Sequence, residues 1–276
     1  MHRLDWRAMA ARRSLVFGAW LLVAAALLGG SVAPPPIPQA VRLLQLNLCA
    51  SGQAACYTGR SIDEAAKVIR ETRPDVVTLN EICEGDVATL GAVLAGVHGE
   101  PVASGFEAAP DRPSGGPTIC GRNGQPYGIG LVARRPAAPF ETIGGVYPVQ
   151  DPVDPEERAW LCLLAAVDVC TTHLAGFDAT AALHQCQHLF GVTLPALHER
   201  AGYRPTIVAG DLNLRYGAPP DLRPCIPPGY RWLGDGGLQH VLATTDLAVP
   251  TMRAIDLAKT TDHPGLLVTV GLTGTA

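Results

Sequence analysis

Short apolar runs that end in polar side chains recur along the chain. Each run has the length and composition of a β-strand. The predicted strands are 41–49 (VRLLQLNLC), 75–79 (DVVTL), 127–134 (YGIGLVAR), 159–165 (AWLCLLA), 167–176 (VDVCTTHLAG), 205–213 (PTIVAGDLN), 238–243 (LQHVLA) and 266–272 (LLVTVGL). In the seventh run Gln239 and His240 are neighbours, and neighbouring strand residues point to opposite faces. At least one of these two side chains is therefore expected to face a packed interior.

Three stretches between the strands have helical patterns. Residues 61–72 predict an amphipathic helix that starts with a capping box of Ser61 and Glu64. Residues 84–98 and 178–202 predict two more helices, whereas residues 99–125, rich in Gly and Pro, predict a long loop. The chain has no internal repeat and no second composition zone, so we expect a single α/β domain.

The composition is that of a folded, acidic domain. Apolar residues make up 47% of the 276 residues and charged residues 17%, which is enough for a sizeable core. Without residues 1–33, which hold four Arg and one Asp, 17 basic and 24 acidic side chains remain, a net charge of −7. This balance excludes a globally basic nucleic-acid coat. It is compatible with a local basic cleft, or with an acidic site that recruits a divalent cation.

The N-terminal segment has the order of an export signal. Four arginines precede an uncharged run from Ser14 to Ala33, which is also just long enough to span a membrane. Small residues precede Pro34, but this proline should hinder signal peptidase. We therefore predict a signal peptide or membrane anchor over residues 1–33, a Pro-rich spacer over 34–40 and the folded domain over 41–276. The expected location is outside the cell, either secreted or membrane-anchored.

The eight cysteines all follow the N-terminal segment. An even number of cysteines in an exported chain indicates disulfides, although eight allow 105 connectivities. Proximity in the sequence favours Cys49–Cys56 and Cys162–Cys170, with Cys83–Cys120 and Cys186–Cys225 closing longer loops. The alternative, a zinc site, has little support because the chain contains no CxxC motif.

The polar residues at the strand ends form an ordered set that packing alone does not explain. In sequence order they are Asn47, Glu81, His173, Asp211 with Asn213, and Asp262 with His263. The motifs LNLC, LNEIC, TTHLAG, VAGDLN and TDHPG resemble those of the endonuclease/exonuclease/phosphatase (DNase I-like) superfamily, in the same order. The resemblance covers nearly all of residues 41–272. It implies an α/β fold, a four-layer α/β sandwich of two facing mixed β-sheets flanked by helices, with the site at one end.

The resemblance also implies a role for each of these residues in metal-assisted phosphodiester hydrolysis. Glu81 is the expected main ligand of Mg²⁺ (or Mn²⁺ or Ca²⁺), with Asn47 and Asp262 completing or supporting the sphere. Asp211 would orient the attacking water, and Asn213 would donate to a phosphate oxygen. His173 would stabilise the transition state, and His263 would be the general base. Arg158 is a lesser candidate for phosphate contact, like Asn47; the alternative for Arg158 is a solvated position at a strand edge. The acidic stretch 151–158 around it could bind calcium, but it is interpreted as a solvated loop.

Gln239 is the main departure from the family pattern. Family members orient the histidine that corresponds to His263 with an aspartate, and Gln239 occupies that position here. An amide carbonyl can accept from the imidazole, but it cannot stabilise a protonated imidazole by charge. We expect activity that is reduced or shifted in pH; the alternative is that Gln239 merely packs at a strand edge. His240 has no motif support.

The expected function is an exported, divalent-metal-dependent phosphoester hydrolase, and within that class a nuclease-like phosphodiesterase. The AP-endonuclease branch commonly has Lys two residues after the metal-binding Glu, and Cys83 stands there in this chain. The expected partner is a phosphodiester substrate, a nucleic acid or a phospholipid, with the N-terminal segment as a membrane tether in the second case. The alternatives are a sphingomyelinase-like lipid phosphodiesterase and a non-catalytic binding module. Nothing in the sequence indicates an obligate protein partner.

Overall fold

Two facing six-stranded sheets form the centre of the protein. The computed structural model describes residues 40–272. The first sheet contains β1 (Ala40–Asn47), β2 (Val76–Cys83), β3 (Val102–Ala108), β6 (Tyr127–Arg134), β13 (Leu247–Ile255) and β14 (Gly265–Leu272), in the order β13-β14-β1-β2-β6-β3. The second contains β7 (Glu141–Val146), β8 (Ala159–Leu164), β9 (Asp168–His173), β10 (Thr206–Asp211), β11 (Tyr230–Gly234) and β12 (Gln239–Thr244), in the order β11-β12-β10-β9-β8-β7. A small ribbon pairs β4 (Pro110–Asp111) with β5 (Gly116–Pro117).

Helices cover the outer face of each sheet. The helices α1 (Ser61–Thr72) and α2 (Glu84–His98) belong to the first sheet, and α3 (Ala179–His188) and α4 (Leu194–Ala201) to the second. Three apolar clusters separate the layers, one between the sheets and one under each helical layer. This arrangement confirms the predicted four-layer α/β sandwich.

Two helical details differ from the sequence predictions. The helix predicted over 178–202 is split by a π-helical turn, Leu189–Thr193, just before Pro195. A proline lacks the N–H that a continuous helix would use, so the hydrogen-bond ladder shifts there. The predicted capping box is also wrong, because Arg60 precedes the helix and no side chain caps it.

Apart from the short β4–β5 ribbon, the strands that the sequence did not predict are the four edges of the large sheets, β3, β7, β11 and β13. β3 lies inside the stretch predicted as a loop, residues 99–125. Edge strands pair on one side only and bury less of their surface, so their apolar alternation is weak. In β3, for example, only Ala103 is buried.

The inner faces of the central strands are apolar at one end of the sandwich and polar at the other. Alternate residues share a face, and the inner-face series that carry the polar end are Leu43-Gln45-Asn47, Val76-Thr78-Asn80, Val169-Thr171-His173, Ile207-Ala209-Asp211 and Ala243-Val241-Gln239. Two pairs of strands are parallel, β1 with β2 and β9 with β10, which brings their C-terminal ends to the same edge. The register places Asn47 beside Asn80 and Asp211 beside both His173 and Gln239.

All four disulfides have the pairing that sequence proximity favours. They are Cys49–Cys56, Cys83–Cys120, Cys162–Cys170 and Cys186–Cys225, and no cysteine of the chain is free. Four disulfides fit an oxidising environment outside the cytoplasm.

The predicted signal or anchor, residues 1–33, lies outside the described residues. The same holds for the predicted spacer except Ala40, which begins β1. Between residues 40 and 272, no helix combines the length and the apolar character needed to span a membrane.

Candidate functional site

Asn47 links the two sheets at the polar end of the sandwich. Its side-chain amide nitrogen donates to Glu81 Oε1 at 2.8 Å and to Asp211 Oδ2 at 3.0 Å. Its side-chain oxygen, Oδ1, accepts from the backbone N–H of Cys49 at 3.3 Å. This bond fixes the orientation of the amide, with the nitrogen towards the two carboxylates. One neutral amide thus holds together two carboxylates that would otherwise repel each other.

Glu81 and Asp211 are carboxylates in a poorly solvated site. Burial raises the pKa of Glu81, and the nearby charges of Asp211 and Asp262 add to the rise. Burial also raises the pKa of Asp211, against the opposing effects of His263 and the Asn47 hydrogen bond. Within residues 40–272 no Lys or Arg forms an ion pair with either carboxylate. The site therefore carries negative charge that no Lys or Arg balances, and such a site suits a bound cation.

Two residues of the site have left-handed backbones. Glu81 has a φ of 53° and Asn213 a φ of 50°, a conformation that a non-glycine residue adopts at a cost of about 1 kcal/mol. At Glu81 the strand pairing with β6 is interrupted by an irregularity between Leu79 and Ile82. This kink turns Glu81 out of the strict alternation and towards Asn47. Strain of this kind is typical of functional positions.

His263 contacts Asp211, and its predicted pairing with Gln239 is wrong. His263 Nε2 lies 3.4 Å from Asp211 Oδ2 and 3.7 Å from Asp262 Oδ1. Asp262 and His263 occupy a bend, not an extended strand, so these adjacent side chains can approach each other. Gln239 instead donates to Asp211 Oδ2 at 2.7 Å. It reaches the histidine only through the shared carboxylate.

A chain of buried amides fixes the orientation of Gln239. Thr78 donates its hydroxyl hydrogen to Gln45 Oε1, so the Gln45 amide nitrogen points the other way. That nitrogen donates to Asn80 Oδ1 at 2.6 Å and to Gln239 Oε1 at 3.1 Å. The Gln239 nitrogen is then directed at Asp211. All of these side chains are fully buried. Each buried donor and acceptor needs a hydrogen-bond partner, and an amide in this one orientation satisfies them all.

His240, the neighbour of Gln239, points to the opposite face of the sheet. Its Nδ1 accepts from the indole N–H of Trp232 at 2.9 Å, and its Nε2 lies 2.7 Å from the carbonyl oxygen of Leu214. Because the indole only donates and the carbonyl only accepts, the ring is neutral with its hydrogen on Nε2. His240 is a fully bonded core histidine without a part in the site.

His173 presents an N–H to the site because Arg158 occupies its other nitrogen. Arg158 lies 2.9 Å from His173 Nδ1, and a guanidinium can only donate. The ring hydrogen must therefore lie on Nε2, which is 4.0 Å from Glu81 Oε1. Burial and the charge of Arg158 hold the pKa of His173 well below its ordinary value. His173 is thus a neutral hydrogen-bond donor.

The acidic stretch around Arg158 packs against the site, so its interpretation as a solvated loop is wrong. Arg158 pairs with Asp154 at 2.9 Å and with Glu156 at 2.8 Å. Arg158 and Asp154 are buried, and burial raises the pKa of Glu156 to about 7. With its guanidinium engaged by these groups, Arg158 positions His173. Its predicted contact with phosphate stays a prediction.

Asn213 stands at the rim of the site. Its side-chain nitrogen donates to the carbonyl oxygen of Leu174 at 2.8 Å, and its backbone N–H donates to Asp211 Oδ1 at 3.1 Å. An amide nitrogen carries two hydrogens, so one remains for a substrate oxygen. Leu212, between Asp211 and Asn213, is buried in the outer core, as its position between two site residues predicts.

The donor set fits a hard divalent cation. Mg²⁺ prefers oxygen ligands and is usually held by one or two carboxylates while keeping several waters. Glu81 supplies a carboxylate at the centre, and Asp262, 55% exposed, lies on the solvent side. Asn47 directs its amide nitrogen at Glu81 and its oxygen at the Cys49 N–H, so it supports the ligand and does not itself bind the cation. Glu81 is the natural primary ligand because it combines partial exposure with an excess of neighbouring negative charge.

Comparison with known proteins identifies the relatives of this arrangement. A sequence model of the Endonuclease/Exonuclease/phosphatase family matches residues 44–263. The chain belongs to this family. The matched range contains every site residue that the sequence predicted, from Asn47 to His263. No curated protein matches the chain significantly.

Solved structures of the family share the fold at low sequence identity. An endonuclease/exonuclease/phosphatase from Beutenbergia cavernae is 22% identical, with 86% of this chain and 72% of that chain covered and a TM-score of 0.60. ANGEL2, described as a 2',3'-cyclic phosphatase in complex with adenosine-2',3'-vanadate, is 13% identical over 84% and 96% of the two chains, with a TM-score of 0.58. The human Nocturnin catalytic domain with bound sulfate is 15% identical over 86% and 96%, with a TM-score of 0.58.

Several residues that shape the site were missed by the sequence analysis. They are Gln45, Thr78 and Asn80 in the amide chain, and Asp154 and Glu156 beside Arg158. Strand alternation, applied to β1 and β2, would have placed the first three on the inner face with Asn47. The two acids pair with Arg158, a near neighbour in the sequence, but no local pattern could have placed this group at the site, because Arg158 contacts it through His173, which belongs to another strand.

Proposed function

We propose that the protein is an exported, divalent-metal-dependent phosphodiesterase of the Endonuclease/Exonuclease/phosphatase family, with a nuclease-like activity. Members of the family hydrolyse phosphoesters. One observation carries the proposal, namely that the Asn47 amide bridges Glu81 and Asp211 while His173 lies beside the first and His263 beside the second. The disulfides support export, since they suit an oxidising compartment.

Asp211 and His263 form the basic side of the reaction. His263 Nε2 faces Asp211, which also accepts from Asn47, Gln239 and the Asn213 backbone. These donors hold the carboxylate in one orientation, so Asp211 can direct a water for attack while His263 and Asp211 together accept its proton. Gln239 contributes a hydrogen bond without a second charge.

His173 and Asn213 form the donating side. His173 offers Nε2–H and Asn213 offers an amide hydrogen, and both can bond the oxygens that gain charge in the transition state. Because His173 is held neutral, it stabilises these oxygens as a hydrogen-bond donor and not by a full charge. A cation held by Glu81 and Asp262, with Asn47 orienting Glu81, would supply the neutralisation of phosphate charge.

A phospholipid is the second candidate substrate, and two exposed apolar side chains favour it. Phe177 is 81% exposed four residues after His173, and Val153 is 82% exposed next to Asp154. Both loops therefore adjoin the strand end that carries His173. Exposed apolar residues near a site suit contact with a membrane surface. The alternative of a non-catalytic module loses its main support, since Gln239 is an integral partner of Asp211.

The test is a substrate panel with the full-length protein. Plasmid DNA, sphingomyelin in vesicles and bis-p-nitrophenyl phosphate are each incubated with Mg²⁺ or with EDTA. EDTA-sensitive turnover of DNA together with the chromogenic diester supports the nuclease-like activity, and turnover of sphingomyelin instead supports the lipid activity. Absence of EDTA-sensitive turnover on all three would refute the proposed function.

A further inference from the structure

The Cys49–Cys56 disulfide lies against the carboxylate of Glu81. The two sulfurs and a Glu81 carboxylate oxygen all lie within 4.8 Å of one another. Over residues 40–272, this is the only group of three His, Cys, Asp or Glu side chains whose ligand atoms are so close. The sulfur-bearing loop therefore adjoins the residue that we propose as the main magnesium ligand.

Backbone hydrogen bonds hold this arrangement independently of the S–S bond. The N–H of Ala50 donates to the carbonyl oxygen of Glu81 at 2.9 Å, and the N–H of Leu48 donates to that of Asn80 at 3.0 Å. Cys49 lies between these two bonds and has a φ of 45°, which turns its side chain at the end of β1. Cys49 and Glu81 should therefore stay neighbours when the disulfide is opened.

Cys56 makes this disulfide the most accessible of the four. Seven of the eight cysteines are buried, with exposures of 4% or less, and Cys56 alone is half-buried. Thiol–disulfide exchange requires a thiolate to reach a sulfur atom. A dithiol reductant can attack Cys56 Sγ, so that the S–S bond breaks and the Cys49 sulfur leaves with the electron pair and takes a proton. The second thiol of the reductant then releases the Cys56 thiol, and the reductant is oxidised to its own disulfide.

We propose that reduction of Cys49–Cys56 creates a zinc site formed by the two thiolates and Glu81. Zn²⁺ takes tetrahedral sulfur and oxygen ligands at about 2.3 Å and about 2.0–2.2 Å, with solvent in an open fourth position. Two sulfurs on one such ion are about 3.8 Å apart, and the 6.0 Å between the Cα atoms of Cys49 and Cys56 accommodates that separation. The two thiol protons pass to solvent when zinc binds.

This site would compete with magnesium, because both ions need Glu81. Zinc should therefore inhibit the reduced protein at much lower concentrations than the oxidised protein, which lacks the two thiolate ligands. The zinc site itself does not depend on the proposed function, since its ligands are fixed by the loop and by β2. Only the predicted inhibition by zinc depends on the proposed phosphodiesterase activity.

The experiment measures metal binding by the full-length protein in two redox states. Brief treatment with dithiothreitol, followed by its removal, opens the accessible disulfide, and mass spectrometry after alkylation identifies which cysteines are free. Zinc is measured by equilibrium dialysis, and Co²⁺ serves as a spectroscopic probe for thiolate ligands. We expect one tightly bound zinc per chain and a thiolate-to-cobalt charge-transfer band in the reduced protein, with neither in the oxidised protein.

Two variants separate this site from non-specific thiol binding. Glu81→Gln should weaken zinc binding to the reduced protein by more than the roughly 10–100-fold that follows loss of an outer-sphere partner. Cys56→Ser removes one of the two thiolates, so it should lower the intensity of the cobalt band by about half or more while the three buried disulfides stay intact. If Cys56→Ser does not fold, zinc binding by the oxidised and the reduced wild-type protein still tests whether the site depends on the opened disulfide. Equal zinc affinity in the two redox states, or an unchanged affinity in Glu81→Gln, would overturn the proposal. Zinc binding without any phosphodiesterase activity would refute the proposed function alone.

Discussion

Replacing Gln239 with Glu tests whether this residue acts on Asp211 or on His263. Glu is nearly isosteric with Gln, so one carboxylate oxygen takes the place of the Nε2 that lies 2.7 Å from Asp211 Oδ2. Two like charges about 4 Å apart repel each other by about 4 kcal/mol at an effective dielectric constant of about 20. That energy corresponds to about 3 pH units.

The repulsion gives the variant an alkaline limit of activity. The ordinary pKa of Glu is about 4.3, so the pair should hold one shared proton up to about pH 7, and burial extends this range. Below that pH the protonated Glu donates to Asp211 as the amide does. Above it both groups are charged, the hydrogen bond is lost and Asp211 shifts. The folded state binds the extra proton more tightly than the unfolded state, so stability is present at low pH and lost as pH rises.

The assay is kcat/KM for bis-p-nitrophenyl phosphate at a fixed, saturating Mg²⁺ concentration between about pH 5.5 and pH 9. We expect Gln239→Glu to be near wild type at the acidic end and to lose activity progressively above about pH 7. The matched control, Gln239→Leu, removes the hydrogen bond without adding charge and should lower activity similarly at every pH. If the pH profile of kcat/KM in Gln239→Glu instead shifts on its acidic side and is unchanged on its alkaline side, this reasoning is refuted and a direct contact of residue 239 with His263 is favoured.

Three further changes probe the groups around the two carboxylates. Asn47→Leu removes the hydrogen-bond donor to both Glu81 and Asp211, so the free energy of unfolding should fall by about 2 kcal/mol or more. Added Mg²⁺ should restore part of this loss in thermal unfolding. No effect of Mg²⁺ would argue against a cation between these groups. Arg158→Met leaves buried acids unpaired and should cost about 3–5 kcal/mol in denaturant unfolding, whereas a loss below about 1 kcal/mol would contradict the buried pairing. Glu156→Gln should flatten the fall in stability as pH rises from about 4.5 towards 7, because the pKa of Glu156 is raised to about 7. With a fifth of that side chain exposed, the effect should be below about 3 kcal/mol, and unchanged pH dependence would contradict it.

The sequence predicted the interior of the fold better than its borders. Central strands such as β6 and β10 are apolar on both faces because each is covered by a helical layer and by the other sheet. The edge strands lack this pattern, and β3 was interpreted as loop for that reason. Two disulfides, Cys49–Cys56 and Cys162–Cys170, followed from proximity because their cysteines are 7 and 8 residues apart, whereas Cys83–Cys120 and Cys186–Cys225 span 37 and 39 residues.

The site residues were predicted individually, but their contacts were not. A motif such as TDHPG indicates that Asp262 and His263 lie together, yet it does not say which carboxylate faces the imidazole. Gln239 turned out to bond Asp211 because Gln45, on the opposite sheet, fixes its direction. Contacts across 194 residues of chain leave no trace in the local pattern.

The most direct test of the central claim is hydrolysis of bis-p-nitrophenyl phosphate by the wild-type protein and by Asp211→Asn, each as a function of Mg²⁺ concentration. Asn keeps the shape of Asp211 but removes the charge that faces His263, so the variant should stay folded and lose at least about 100-fold in kcat. We predict saturable, EDTA-reversible turnover by the wild type and almost none by Asp211→Asn. Turnover that does not depend on Mg²⁺, or that persists in Asp211→Asn, would contradict the assignment of this site as a metal-dependent phosphodiesterase centre.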